Sequence, residues 1–102
     1  MYYNVKARLI PETAADLYRK LTDGTLLAQK PDGQEIIDSM ERARIDDSGV
    51  VRWSEICFCS TPLAHERHTV LDDHFTELET EETSGHHVFE GQSLMEIFEQ
   101  AE

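Results

Sequence analysis

The second half of this 102-residue chain has almost no positive charge: residues 53–102 carry one basic group, Arg67, against twelve acids, whereas residues 1–52 carry eight against nine. Nearly all of the formal charge of -12 therefore belongs to residues 53–102. Nucleic-acid phosphates are bound through a Lys/Arg footprint, and anionic membrane surfaces attract basic clusters. Neither is an expected partner; a basic protein or a small molecule is. Cysteine is equally scarce. Cys57 and Cys59 stand one residue apart, too close to staple the fold by closing a long loop, and in a reducing cytosol they are expected as thiols. No apolar run approaches the ~20 residues that span a bilayer, and the start Met-Tyr-Tyr-Asn-Val-Lys-Ala-Arg lacks the basic-then-apolar pattern of a signal peptide. A cytoplasmic location is expected. The chain also lacks G-x-S-x-G, P-loop, G-x-G-x-x-G and haem-attachment patterns, so no catalytic residue and no cofactor is assigned.

What is present suffices for one α+β domain over residues 1–102. Leu, Ile, Val and Phe total 24, enough for a modest core, whereas two separate cores would each be too small to stand alone. Residues 2–10 alternate, with Tyr3, Val5, Ala7 and Leu9 on one face, which predicts a half-buried strand. Ala14, Leu17, Tyr18 and Leu21 predict a helix over 11–23 that Gly24 stops. After the turn Pro31-Asp32-Gly33, Asp32 and Glu35 read as a capping pair for a second helix bearing Ile36, Ile37, Met40 and Ala43. A strand over 44–46 and a longer one over 50–59 flank the turn Asp47-Ser48-Gly49. Thr61-Pro62 reads as the start of a third helix bearing Leu63, Val70, Leu71 and His74. A threonine-rich strand over 75–83 follows, on which Glu77, Glu79 and Glu81 are expected to line a solvent-facing edge. Residues 86–90 are expected to pair back as a hairpin strand, and Ser93 with Glu96 to cap a short last helix.

This order is the βαββαβ plan of the ferredoxin-like core with an extra C-terminal hairpin strand and a short helix. Over most of the chain it resembles the dimeric α/β-barrel proteins, among them YCII-like proteins and small antibiotic-biosynthesis-type monooxygenases. The resemblance is one of element order, so no catalytic residue is carried over. Apolar groups fall on both faces of 50–59: Val51, Trp53, Cys57 and Cys59 on one, Val50, Ile56 and Phe58 on the other. A face left uncovered by helices needs another layer, and a second copy of the chain supplies it. A homodimer is expected.

Chemistry-bearing side chains gather in the second half. Cys57, Cys59, His65 and His68 offer soft and borderline donors for zinc or iron. Their spacings are each one residue tight, however, and His65-Glu66-Arg67-His68 is one short of the zincin pattern. The ordinary reading is of small buried cysteines and a solvated helix face, so no metal is assigned. Candidate pocket residues are Tyr3, Trp53, Cys57, Cys59, His65 and His68. The function expected first is a homodimeric binding or interaction module. The alternatives are a small α/β-barrel enzyme or ligand-binding protein with a His/Cys-lined apolar pocket, and a Cys/His metal-binding protein. Histidines set among a dozen carboxylates are further expected to have raised pKa values.

Overall fold

The computed structural model describes residues 1–30, 32–58 and 61–101. Pro31 and Cys59 therefore lie outside the described residues. Strand β1, Tyr2–Leu9, buries Tyr3, Val5 and Ala7 on one side, as period-two alternation dictates. Pro11 opens a single 3-10 turn, Pro11–Thr13, that tips the chain off the sheet into α1, Ala14–Thr22. Helix α2, Gly33–Arg42, buries Ile36 and Met40. Its N-terminus is fixed by a close approach: a methyl group at Gly33 would lie 1.8 Å from the Leu26 carbonyl oxygen. Strands β2, Arg44–Ile45, and β3, Val50–Ile56, form a hairpin. At its turn Asp46 accepts the N–H groups of Ser48 and Val50 and pairs with Arg52. The Ser48 hydrogen bond, then Arg52, hold the Asp46 carboxyl well below the usual carboxylate range.

Helix α3 spans 64–74 in three pieces: an α-helical turn Ala64–Glu66, a π-helical turn Arg67–Leu71 and a closing turn Asp72–His74. The Asp72 N–H donates to Arg67 O, five residues back. The helix does not follow directly from Thr61-Pro62. Leu63 intervenes in the left-handed conformation, φ 56, which costs a non-glycine residue about 1–2 kcal/mol. Its fully buried side chain is the compensation. Strand β4, Phe75–Thr83, follows at once. The last elements are β5, Gln92–Ser93, and α4, Leu94–Ala101, where Ser93 Oγ accepts the Glu96 N–H at 3.4 Å.

The five strands make one antiparallel sheet in the order β4–β1–β3–β2–β5. The register sets Val5 opposite Trp53, Ala7 opposite Val51 and Tyr3 opposite Glu55. That face meets Leu17, Leu21, Ile36, Met40, Val70, Leu71, Leu94 and Phe98 in one core, with Trp53 on Phe75 at 5.1 Å between ring centroids. The result is a mixed α/β fold with four helices among the described residues.

Two expectations are corrected. Residues 86–90 do not pair back on β4. Because β4 and β5 lie at opposite edges, the chain between them crosses the sheet on the side away from the helices. His86 bonds Ser54 Oγ at 2.7 Å and meets the Tyr2 ring edge-on, and His87 bonds Asn4. These polar partners on the outer face take the place of strand pairing, and the extra strand is β5, paired with β2. Strand β3 also ends at Ile56, so its outer face is Val50, Arg52, Ser54 and Ile56. Phe58 lies beyond it, 89% exposed. On that face Ser54 is covered by residues 84–91 of the same chain, through His86.

Candidate functional site

Polar side chains converge where the N-terminus of α2, the end of β3 and the first turn of α3 meet. Inner-face alternation along β3 runs Val51, Trp53, Glu55, Cys57, and all four are buried. Glu55 thus faces the core. On α3, Glu66 stands three residues after Leu63 and four before Val70, both buried, so helical spacing turns it inward too. The two glutamates are 0% and 2% exposed, a rarity for carboxylates unless they are partnered.

Asp32, His65 and Glu66 form the centre. Each offers one donor atom, and the three atoms lie within 4.8 Å of one another. His65 Nδ1 contacts Asp32 Oδ2, and the Glu66 carboxylate completes the group. Exposure grades across the group, from buried Glu66 through half-buried Asp32 to exposed His65, so the cluster opens to solvent through the imidazole. Asp32 makes no side-chain cap to α2, despite its place at the helix N-terminus; the carboxylate turns to α3 instead. Burial raises the Glu66 carboxyl above the usual range and Asp32 adds to the shift, while the Cys57 hydrogen bond opposes it.

Glu55 sits behind this centre. Its Oε1 accepts the Trp53 indole N–H at 2.7 Å, and its Oε2 has no hydrogen-bond partner among the described residues. Burial pushes its carboxyl up to about 8; Trp53 and Arg42 oppose the shift, and Glu66 and Glu35 add to it. Near neutral pH Glu55 therefore keeps its proton. Glu35, expected as a cap, instead accepts the Ile56 N–H at 2.9 Å and Arg42 Nη2 at 3.0 Å, tying α2 to the end of β3. Arg42 Nη2 reaches Ser54 O as well, at 3.0 Å.

Of the expected pocket residues, the structure brings Trp53, Cys57 and His65 to this region, with Tyr3 across the sheet from Glu55. Trp53 is a fully buried core residue. His68 is solvent-exposed and stands outside the three-residue group, and Cys59 lies outside the described residues. Asp32, Glu55 and Glu66 were not among the expected residues, although alternation and helical spacing turn both glutamates inward.

Elsewhere, buried His74 bonds Thr13 Oγ1 through Nδ1 at 2.9 Å and meets Lys20 Nζ through Nε2 at 3.1 Å. Thr13 Oγ1 donates to Ile10 O, so Nδ1 carries the proton and Nε2 accepts from the ammonium. Burial first, then Lys20, lowers the His74 pKa, against the raised values expected of histidines among carboxylates. On the outer face an open groove of about 340 Å³ is lined by Asn4, Lys6, Arg52, Glu79 and Phe89, among others. Its cations are already paired, Lys6 with Glu79 and Arg52 with Asp46. On β4, Glu79 pairs with Lys6, and Glu77, at the bulge where its φ is 55, meets Arg8. Among the described residues no helix is long and apolar enough to cross a membrane. No protein-family model, curated protein or solved structure matches this chain.

Proposed function

We propose that this chain is a small binding protein on a ferredoxin-like core, whose ligand is a divalent metal ion held by Asp32, His65 and Glu66. One observation carries the reading: an imidazole and two carboxylates from separate elements bring donor atoms within 4.8 Å of one another. One carboxylate is buried, and the two press on each other. Like charges that close need either a shared proton or a cation between them. Imidazole with carboxylate suits first-row divalent ions, and exposed His65 gives an ion its way in.

The strand order β4–β1–β3–β2, antiparallel with helices on one face, supports the ferredoxin-like assignment, with β5 and α4 as additions. A homodimer is not needed to cover Ser54 on β3, since residues 84–91 cross that face. Self-association would have to use exposed apolar groups such as Phe58 and Val88, and light scattering decides it.

Isothermal titration of the untagged, chelator-stripped protein with Zn²⁺ tests the proposal. One ion per chain is expected, with binding weakened when Asp32→Asn and His65→Ala are introduced separately. Absence of stoichiometric binding, or an affinity unchanged from the parent in both variants, overturns it.

A further inference from the structure

We propose a second binding site, on the outer face of the sheet, for a small zwitterion: an α-amino acid with an apolar side chain. It is independent of the metal-binding reading, since it lies on the side of the sheet away from the helices. The register sets Lys6 opposite Arg52 and Arg52 opposite Arg44, so three of the nine basic groups of the chain stand in one cross-strand row. Like charges directly opposite one another destabilise a sheet, and such a row needs acceptors beside it. On β4, Glu79 lies opposite Lys6 and Glu81 opposite Asn4. These residues line the groove of about 340 Å³, which Phe89 walls from the segment that crosses the sheet. That volume is at the lower end of the range for small-molecule sites.

Internal pairing leaves a defined remainder in the groove. Lys6 is taken by Glu79 at 3.5 Å. Among the described residues Arg52 uses Nη1 alone, on Asp46 Oδ2 at 3.0 Å, whereas a guanidinium carries a planar fork of N–H donors suited to a carboxylate. Asn4 Oδ1 accepts from His87 Nδ1, and its amide N–H groups remain. Glu81 makes no ion pair or hydrogen bond among the described residues. Arg52 and Asn4 therefore offer donors for a carboxylate, and Glu81 an acceptor for an ammonium. Their strands β3 and β4 flank β1 and lie roughly 10 Å apart, a gap that a compact zwitterion fills when both side chains reach towards it. Charge decides the class of ligand. The formal charge of -12 disfavours a free anion, while Lys6 and Arg52 balance Glu79 and Glu81 within the groove. A ligand with one charge of each sign completes both remaining pairs, and Phe89 supplies an apolar surface for its side chain.

The test is an NMR titration of the full, isotope-labelled chain in excess chelator, which keeps metal off the Asp32, His65 and Glu66 group and separates the outcome from the metal-binding reading. The probes are L-phenylalanine and L-leucine, with phenethylamine and phenylpropionate as analogues that lack the carboxylate and the ammonium respectively. Saturable shifts of the Lys6, Arg52 and Phe89 amides are expected with both amino acids. Affinity should fall by about tenfold or more for each analogue, and by a similar factor in Arg52→Gln and in Glu81→Gln. Glu81 is exposed and Arg52 half-buried, so both variants should keep the fold, which the same spectra check; the analogue comparison in the unsubstituted protein stands without them. Equal binding of phenylpropionate or of phenethylamine overturns the zwitterion assignment, and absence of saturable shifts at millimolar amino acid overturns the site.

Discussion

Glu55 makes the stability of the fold depend on pH in a direction opposite to that of a paired surface carboxylate. Its carboxyl moves from an ordinary 4.5 to about 8 in the folded chain. Between those values the folded state holds a proton that the unfolded state has released. Stability must then fall as pH rises, because folding is favoured by whatever the folded form binds more of. The stabilising contribution of the proton is complete below the unfolded value and gone above about 8. Each pH unit inside the window is worth about 1.4 kcal/mol, so the Glu55 contribution between about pH 5 and pH 8 amounts to roughly 3–4 kcal/mol. Glu55→Gln retains an acceptor for the Trp53 indole and cannot ionise. Urea unfolding of both proteins at several pH values, with chelator present, isolates this contribution as the difference between the two curves. The Gln variant is expected to gain on the parent steadily with pH and to be the more stable at pH 8. Parallel curves would refute the reasoning, since they would mean that Glu55 is already ionised at neutral pH, or that its burial carries no electrostatic cost.

His74 works in the other direction. Its folded pKa is lowered, so the unfolded state takes up protons first as pH falls, and stability present above the ordinary imidazole value is lost on acidification through the folded one. Thermal melts of the parent below about pH 6.5 should show a loss that His74→Gln lacks; an equal acid slope in both would count against the burial-driven shift. Gly33→Ala places a Cβ 1.8 Å from Leu26 O. Relieving that clash moves the start of α2 and Asp32 with it, so a loss of about 2 kcal/mol or more, read by chemical unfolding, is expected together with weaker Zn²⁺ binding. A Gly33→Ala protein with unchanged affinity would show that Asp32 does not need this close approach.

The elements that periodicity names are those that obey a single period. Tyr3, Val5 and Ala7 mark β1, Leu17 and Leu21 mark α1, and Ile36 with Met40 marks α2, each buried as alternation or helical spacing requires. Residues 84–91 obey neither period because they are held by individual polar contacts, His86 to Ser54 and His87 to Asn4. A segment fastened in that way has a composition compatible with a strand and no local mark of its route. The π-helical turn at Arg67–Leu71 is concealed for a related reason: one extra residue in a helical turn leaves Val70 and Leu71 both buried without breaking the apolar pattern.

The candidate site was half legible, and the missing half follows from how carboxylates are usually read. Trp53, Cys57 and His65 stand out by residue type, whereas Glu55 and Glu66 are passed over because acids belong on surfaces. Their positions contradict that habit, since each occupies an inner-face place in a run of buried apolar residues. A buried carboxylate is sustained by a proton, by hydrogen bonds to its charged form or by a cation, and the two glutamates differ in which they can use. Glu55 has an indole donor, and Arg42, the cation that opposes its shift, is committed to Glu35 and to Ser54 O, so it keeps a proton. Glu66 faces a second carboxylate, with an exposed imidazole beyond Asp32, which is an arrangement of ligands more than of donors. Two acids buried on neighbouring elements thereby take different solutions, and the pattern that exposes both in a sequence is an acid at the apolar phase of its own element.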